Sequence, residues 1–310
     1  MTFFCYIDLQ KFGIKCKIYI GNIMNWLYNK KVIISGASSG IGKEVSKILI
    51  HKYNCYILGV ARTESKLQDF KTELGDKSTM FDYFPLDVGN KDGWQDLINH
   101  MQNINFVPDI LINNAGTMSP FESYERATEE SCERIFKTNF LSVTYAVKAL
   151  LPILKQSQTP AIINISSASD LGCLPGVASY SASKSALKTF SEILHCELRG
   201  QVYVATIMPG FIKTNLFHSK DNAKAVIESK DEKLINSISM PVDKAARKIV
   251  RVMKRKQARS IIGMDAKLIN LMYKLTPQTS GRVVGSVMKA SKLKTFENIY
   301  KKENTNGNNN

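Results

Sequence analysis

The segment Lys31–Tyr53, KVIISGASSGIGKEVSKILIHKY, constrains the fold more than any other stretch. An apolar run meets a turn rich in glycine and serine, and a helical pattern of apolar residues follows at once. Gly36, Gly40 and Gly42 are spaced G-x-x-x-G-x-G. That spacing permits a tight turn, close approach of a ligand to the backbone and close packing of a helix on a strand. The first amides of the helix have no partner within it and favour an anion such as a pyrophosphate. A strand, this turn and a helix near the start of an alternating chain point to a dinucleotide site.

The alternation continues. Apolar runs at Cys55–Ala61, Phe84–Val88, Asp109–Gly116, Ala161–Ile165, Gln201–Gly210 and Arg259–Gly263 are separated by helical patterns. Most of these runs are continuously apolar, as in a parallel sheet covered on both faces. We therefore expect a Rossmann-type, doubly wound α/β domain of three layers (α/β/α) over residues 31–263. The second run ends in Arg62, where an acid would bind the 2′-hydroxyl of NAD(H). Arginine suits the 2′-phosphate of NADP(H), and Ser38 can add a hydroxyl to the same phosphate. Arg62 could equally be a surface residue opening the next helix, but the expectation is NADP(H) ahead of NAD(H).

In Ile162–Ala186, Tyr180 and Lys184 lie one helical turn apart on a shared face, and Ser167 stands thirteen residues before the tyrosine. A free tyrosine has a pKa of about 10, and a nearby ammonium lowers it. Ser167 can donate to a substrate oxygen held opposite Tyr180, making a proton-transfer site for an alcohol or a carbonyl. Tyr-x-x-x-Lys alone also describes many solvated helix faces. Asn139 sits within a helical stretch spanning residues 131–154, where asparagine competes for backbone groups. Either it holds a water or a backbone carbonyl near the site, or it is a surface residue.

Six scattered cysteines form no Cys-x-x-Cys pair, and the four histidines have no metal-ligand spacing. Reduced thiols, a cytoplasmic setting and no metal are expected. The net charge is +15, and residues 243–302 hold sixteen Lys or Arg against three acids. Such a tail can meet nucleic acid, an anionic membrane surface or only solvent. No nucleic-acid motif accompanies it, so no nucleic-acid partner is expected. Residues 1–30 read as an N-terminal extension without the features of a signal peptide, and 303–310 as a disordered end. Residues 211–240 follow a strand end and read as a substrate lid. Residues 264–302 read as basic helices.

Together the residues resemble the short-chain dehydrogenase/reductase family over Lys31–Gly263. The resemblance rests on SGASSGIG, Asp87-Val88, NNAG, Asn139, Ser167 with YSASK, and PGFIKT at Pro209–Thr214. It implies that Tyr180 is the general acid/base, that Lys184 lowers its pKa and holds the nicotinamide ribose, and that Ser167 orients the carbonyl. Asn139 would hold a water in the proton relay. Gly36, Ser39, Gly40, Ile41 and Gly42 would cradle the pyrophosphate, Asp87 and Val88 the adenine, and Asn114, Ala115 and Gly116 the adenosine side. Pro209, Gly210, Ile212 and Thr214 would lie on the nicotinamide side. Ser35 departs from the family's usual threonine and keeps the hydroxyl.

The expected activity is NADP(H)-dependent interconversion of a secondary alcohol and a ketone, on an apolar substrate such as a hydroxysteroid, by a homodimer or homotetramer. Met118, Pro120, Ser169, Leu171, Leu174, Val177, Phe211 and Phe217 are the candidate lining. Alternatives are a 3-oxoacyl or other lipid-chain ketone reductase, and a non-catalytic NADP-sensing regulator. Peripheral contact with a membrane through the basic helices is a further expectation.

Overall fold

The computed structural model describes residues 25–214 and 239–300. Its strands are β1 (Lys31–Ser35), β2 (Tyr56–Ala61), β3 (Phe81–Pro85), β4 (Ile110–Asn113), β5 (Ala161–Ile165), β6 (Tyr203–Pro209), β7 (Ile212–Lys213), β8 (Met240–Pro241) and β9 (Arg259–Ile262). Seven of them form one parallel sheet in the order β3-β2-β1-β4-β5-β6-β9, while β7 and β8 pair separately. The helices are α1 (Gly40–Tyr53), α2 (Glu64–Glu73), α3 (Gly93–Asn103), α4 (Glu129–Phe136), α5 (Ser142–Leu154), α6 (Ala178–Glu197), α7 (Val242–Lys254), α8 (Met264–Leu275), α9 (Ser280–Ala290) and the single turn α10 (Glu297–Tyr300).

Both faces of the sheet are covered, and the period of two decides which residue meets which layer. On β1, Val32 and Ile34 join the core beneath α1, α2 and α7, whereas Ile33 joins the opposite core with α3, α5 and α6. The uninterrupted apolar strands follow from this, since neither face is left to water. Strand order reverses between β1 and β4, so the turns leaving these two strands diverge and open a crevice at their carboxyl ends.

The domain begins earlier than residue 31. Leu27 is fully buried, and Trp26 Nε1 donates to the Met253 carbonyl of α7 at 3.0 Å. Burying one leucine contributes roughly 1.5–3 kcal/mol, so residues 25–30 belong to the packed unit and not to an extension. Residues 1–24, most of the segment read as a lid (215–238, with Phe217) and residues 301–310 lie outside the described residues.

The basic tail is likewise part of the fold. Its inner faces fit against the loop that follows Ser167, through glycines that leave no room for a side chain. A Cβ on Gly172 would stand 2.7 Å from Ile269 of α8, one on Gly176 2.6 Å from Ile299 of α10, and one on Gly281 of α9 2.8 Å from Cys173. Among the described residues, no helix is long and apolar enough to cross a membrane.

Candidate active site

At the crevice, β1 and β4 are tied by the Ser35 hydroxyl. It accepts from the Asn114 amide at 3.0 Å and the Ala115 amide at 3.1 Å, and Asn114 Nδ2 donates to the Ser35 carbonyl at 3.0 Å. One hydroxyl thus fixes the start of the Asn114–Gly116 segment against the glycine-rich turn. Gly36 and Gly40 have positive φ, +69° and +55°. A Cβ on Gly42 would lie 2.3 Å from the Gly36 carbonyl and 2.7 Å from Asn114 Nδ2, so the turn closes only without one.

Ser39 caps α1 with no side-chain hydrogen bond, and the first turn of the helix carries no acid. Uncapped amides at a helix start without nearby carboxylates fit a pyrophosphate. Thr214 lies beside this turn, its Cγ2 3.5 Å from where a Gly40 Cβ would be. Arg62 is exposed just past the end of β2. Asp87 is exposed with Oδ1 accepting from the Gly89 amide at 3.0 Å, and Val88 is buried. These residues fit a dinucleotide laid across the carboxyl edge of the sheet.

The buried face of α6 carries Tyr180, Ser183, Lys184, Leu187, Ser191 and Leu194. That is a single helical stripe whose first turns hold the chemistry and whose last turns hold core contacts. Lys184 Nζ donates to the Ile165 carbonyl at the end of β5, 3.0 Å away, and stands 6.0 Å from the centre of the Tyr180 ring. Burial pulls the lysine down to about 8, opposed by the charge of Asp170. Burial pushes Tyr180 up to about 12; a hydrogen bond with Ser167 acts to lower it and Asp170 raises it further. The sequence alone led us to expect Lys184 to depress this pKa. In the protein's own groups desolvation is the largest influence on the tyrosine, and the ammonium is bonded to the Ile165 carbonyl.

Ser167 Oγ accepts from the Ser169 amide at 3.2 Å and the Ser169 hydroxyl at 3.0 Å. With its acceptor positions taken from one side, its own hydrogen is left to point toward Tyr180 or a substrate oxygen. Ser166, in contrast, is turned away: its Oγ lies 2.5 Å from Asp170 Oδ2 and 3.0 Å from the Lys184 carbonyl.

Asn139 is fully buried, in a π-helical turn (Lys137–Leu141) between α4 and α5. Its Oδ1 accepts from the Thr117 amide at 2.8 Å, and its Nδ2 donates to the Thr117 carbonyl at 2.9 Å and to Ser183 Oγ at 3.0 Å. Of the alternatives open from sequence, the side chain takes the backbone carbonyl. Both amide hydrogens are used, and Oδ1 keeps a second acceptor position. Gly116 fills the space between: a Cβ there would be 3.3 Å from Asn139 Oδ1 and 3.5 Å from Lys184 Nζ.

Of the candidate lining residues, Met118 and Val177 are buried in one cluster with Tyr180, Phe121, Ile135 and Met288, and Leu174 packs against it. Leu171 instead faces α8, with Ala168, Met208 and Ala266. Pro209 ends β6 and Ile212 is buried in the ribbon. Gly210 and Phe211 are held by α8: Asp265 Oδ2 accepts from the Phe211 amide at 2.7 Å. The sequence reading passed over Ser183, Asp170 and Asp265. It also missed a buried chain in which Asn113 Nδ2 donates to Asn164 Oδ1 at 2.8 Å and Asn164 Nδ2 to Ser191 Oγ at 2.8 Å. Asparagine inside two apolar strands was the available signal.

Residues 30–225 match the short chain dehydrogenase family. Over 245 residues the chain is 33% identical to 11-beta-hydroxysteroid dehydrogenase 1A of Arabidopsis thaliana, an alignment covering 74% of this chain and 67% of that one. It is 32% identical over 194 residues to the benzil reductase ((S)-benzoin forming) IRC24 of Saccharomyces cerevisiae, covering 60% of this chain and 73% of that protein. A solved structure, the closed form of serine dehydrogenase complexed with NADP+, superposes with a TM-score of 0.67 at 26% identity, covering 76% of this chain and 94% of the other. A family match across more than half of the chain, on a sheet of this order, makes the protein a member of the short chain dehydrogenase family, oxidoreductases that act on CH–OH groups with a nicotinamide cofactor.

Proposed function

We propose that the protein is an NADP(H)-dependent reductase of an apolar ketone, with Tyr180 as proton donor. The observation that carries this reading is the convergence of Ser167 after β5 with Tyr180 and Lys184 on the buried face of α6. At neutral pH the tyrosine carries its proton and can give it to a carbonyl oxygen. When bound, the nicotinamide supplies the hydride. Ser167 donates to the same carbonyl oxygen, held in direction by the two bonds from Ser169. Lys184, fixed by the Ile165 carbonyl, presents positive charge near the Tyr180 ring and would hold the nicotinamide ribose. Asn139 holds the Thr117 backbone and Ser183 in register around them.

Arg62 at the tip of β2, and a structural neighbour solved with NADP+, support NADP(H) over NAD(H). The apolar cluster around Tyr180 and the relative named as a hydroxysteroid dehydrogenase support a hydroxysteroid-like substrate, with a lipid-chain ketone as the second choice. The four described cysteines (Cys55, Cys132, Cys173, Cys196) are all free thiols, which suits a cytoplasmic setting. A homodimer or homotetramer is the assembly we infer from the family.

Peripheral contact with an anionic membrane is supported by α8. Met264, Leu268, Leu271 and Leu275 recur at helical spacing and are 79%, 59%, 52% and 72% exposed, with Lys267 and Lys274 on the same helix. Salt-sensitive co-sedimentation with anionic liposomes, lost in Leu268→Asp/Leu271→Asp, would support that contact.

The enzymatic reading is tested with NADPH against a panel of ketosteroids, 3-oxoacyl compounds and small ketones. Tyr180→Phe should lower kcat by about 10²–10⁴-fold while NADPH binding stays nearly intact. A variant keeping more than about a hundredth of the rate refutes the proton-donor role. Wild-type protein that binds NADPH and reduces nothing on the panel favours the non-catalytic alternative.

A further inference from the structure

The chain leaves β6 at Pro209 and crosses from the end of the sheet to the glycine-rich turn, where Thr214 stands beside Gly40. Only the four residues Gly210, Phe211, Ile212 and Lys213 lie between, so their path is set by whatever holds their backbone. Both backbone groups of Phe211 are engaged. Its carbonyl accepts from the Met240 amide at 2.8 Å, and its amide donates to Asp265 Oδ2 at 2.7 Å. The first bond continues the β7–β8 ribbon. The second comes from a side chain fifty-four residues further on, in the first turn of α8 and beyond the stretch 30–225 that matches the family.

Two glycines make room for that carboxylate. Gly263 has a φ of +118°, a conformation that favours glycine, and this bend turns the chain from β9 into α8 so that Asp265 faces back to the end of β6. A Cβ on Gly263 would lie 3.7 Å from Gly210 Cα, and a Cβ on either glycine would stand on the Asp265 carboxylate. The Gly210 amide donates to the Ile262 carbonyl at 2.8 Å, which carries the β6–β9 ladder up to this point. A carboxylate in the first turn of a helix is also favoured by the helix dipole. The anchor is itself packed: Ala266, the next residue, is fully buried with Ala168, Leu171 and Met208, and Ile269 fills the space beside Gly172.

We propose that Asp265 is a positioning residue for the cofactor: its carboxylate, seated between Gly210 and Gly263, ties the Phe211 backbone to α8 and so fixes where the Pro209–Thr214 segment passes the crevice. This rests on the reading of that crevice as the NADP(H) site, with the nicotinamide toward β6. The bond is to a backbone amide, so it sets the course of the segment whatever side chain stands at 211. A hydrogen bond to a carboxylate favours the held form by roughly tenfold. Releasing it lowers the population of the binding-competent segment, and the apparent affinity falls in the same proportion. The loss belongs to the nicotinamide end, since Arg62, Asp87 and Val88, which would meet the adenosine end, lie on other elements.

The test compares wild type, Asp265→Ala and Asp265→Asn. Binding is followed by NADPH fluorescence and, for the adenosine end alone, by displacement with adenosine 2′,5′-bisphosphate, which carries no nicotinamide. Hydrogen exchange of residues 210–214 is read in the cofactor-free proteins. Asp265→Ala should raise the Kd for NADPH about tenfold and speed that exchange by about the same factor, with the bisphosphate Kd changed by less than about twofold. Asparagine keeps an acceptor oxygen at the same place, so Asp265→Asn should return both readouts to within about threefold of wild type. An Asp265→Ala protein that folds and keeps the wild-type Kd and exchange overturns the proposal. So does one that loses the bisphosphate as much as NADPH, since general loosening then explains the loss, or an Asp265→Asn protein as weak as Asp265→Ala. Should Asp265→Ala not fold, Gly210→Ala meets the same bond from the other side by displacing the carboxylate; a wild-type Kd for NADPH in that variant is equally fatal. A wild type that binds no NADPH, yet shows the exchange change in Asp265→Ala and its rescue in Asp265→Asn, sinks the cofactor reading and leaves the tie between α8 and Phe211 standing.

Discussion

Asn139→Ala separates two roles that the same residue could play. The side chain is fully buried and makes three hydrogen bonds, two of them to the backbone of Thr117. Truncation leaves the Thr117 amide and carbonyl without partners in a residue that is only 5% exposed. Each such group costs about 1–3 kcal/mol. Ser183 loses less, because its hydroxyl still donates to the Tyr180 carbonyl at 2.7 Å. A loss of about 3 kcal/mol follows, a large part of the 5–15 kcal/mol that holds a domain together. For a domain of this size it should appear as a Tm lowered by about 6–12 °C. Urea titration at constant NADPH-free conditions measures it, with near-UV circular dichroism checking that the native packing survives. Activity should fall with it, since Gly116 and Lys184 lie against the same side chain. If stability changes by less than about 1 kcal/mol while kcat collapses, the scaffold argument is wrong and Asn139 acts in the proton relay itself.

Other outcomes follow from equally local geometry. Gly176→Ala meets both a positive φ of +86° and the Ile299 side chain, so it should dislodge the tail from the substrate loop. Ketone KM should rise with little change in NADPH affinity; steady-state kinetics beside fluorescence titration would show the split, and equal losses in both would contradict the assignment of this loop to substrate. Arg62→Asp should shift preference from NADPH toward NADH, since a carboxylate repels a 2′-phosphate and accepts from a 2′-hydroxyl. Equal kcat/KM for the two cofactors in the wild-type protein would remove the reason for singling out Arg62.

Much of the fold was legible in the sequence because it depends on local regularities. Runs such as KVIIS and AIINI carry consecutive apolar residues with no polar alternation, which a strand covered on both sides requires, and the structure buries them on alternate faces. The G-x-x-x-G-x-G spacing encodes a turn whose backbone no side chain allows, and Gly42 pressed on the Gly36 carbonyl is that turn. Tyr180 and Lys184 share a face because four residues make about one helical turn. Each of these statements concerns residues close in sequence, where covalent geometry alone restricts the answer.

What the tertiary structure decided concerns residues far apart, whose meeting no periodicity announces. Asn139 could be read as a surface residue or a site residue until Thr117 and Ser183 closed on it from other elements. Trp26 and Leu27 looked like part of an extension because their partner, α7, lies more than two hundred residues further on. The basic tail could have been a solvated arm; instead, glycines on both sides let α8 and α9 seat against the Ser167–Val177 loop. Charge was the least legible of all. Lys184 was expected to lower the pKa of Tyr180, but the state of both depends on how much water burial removes and on Asp170, a carboxyl set behind them by a turn. Desolvation is a property of the packed interior, and a linear sequence has none.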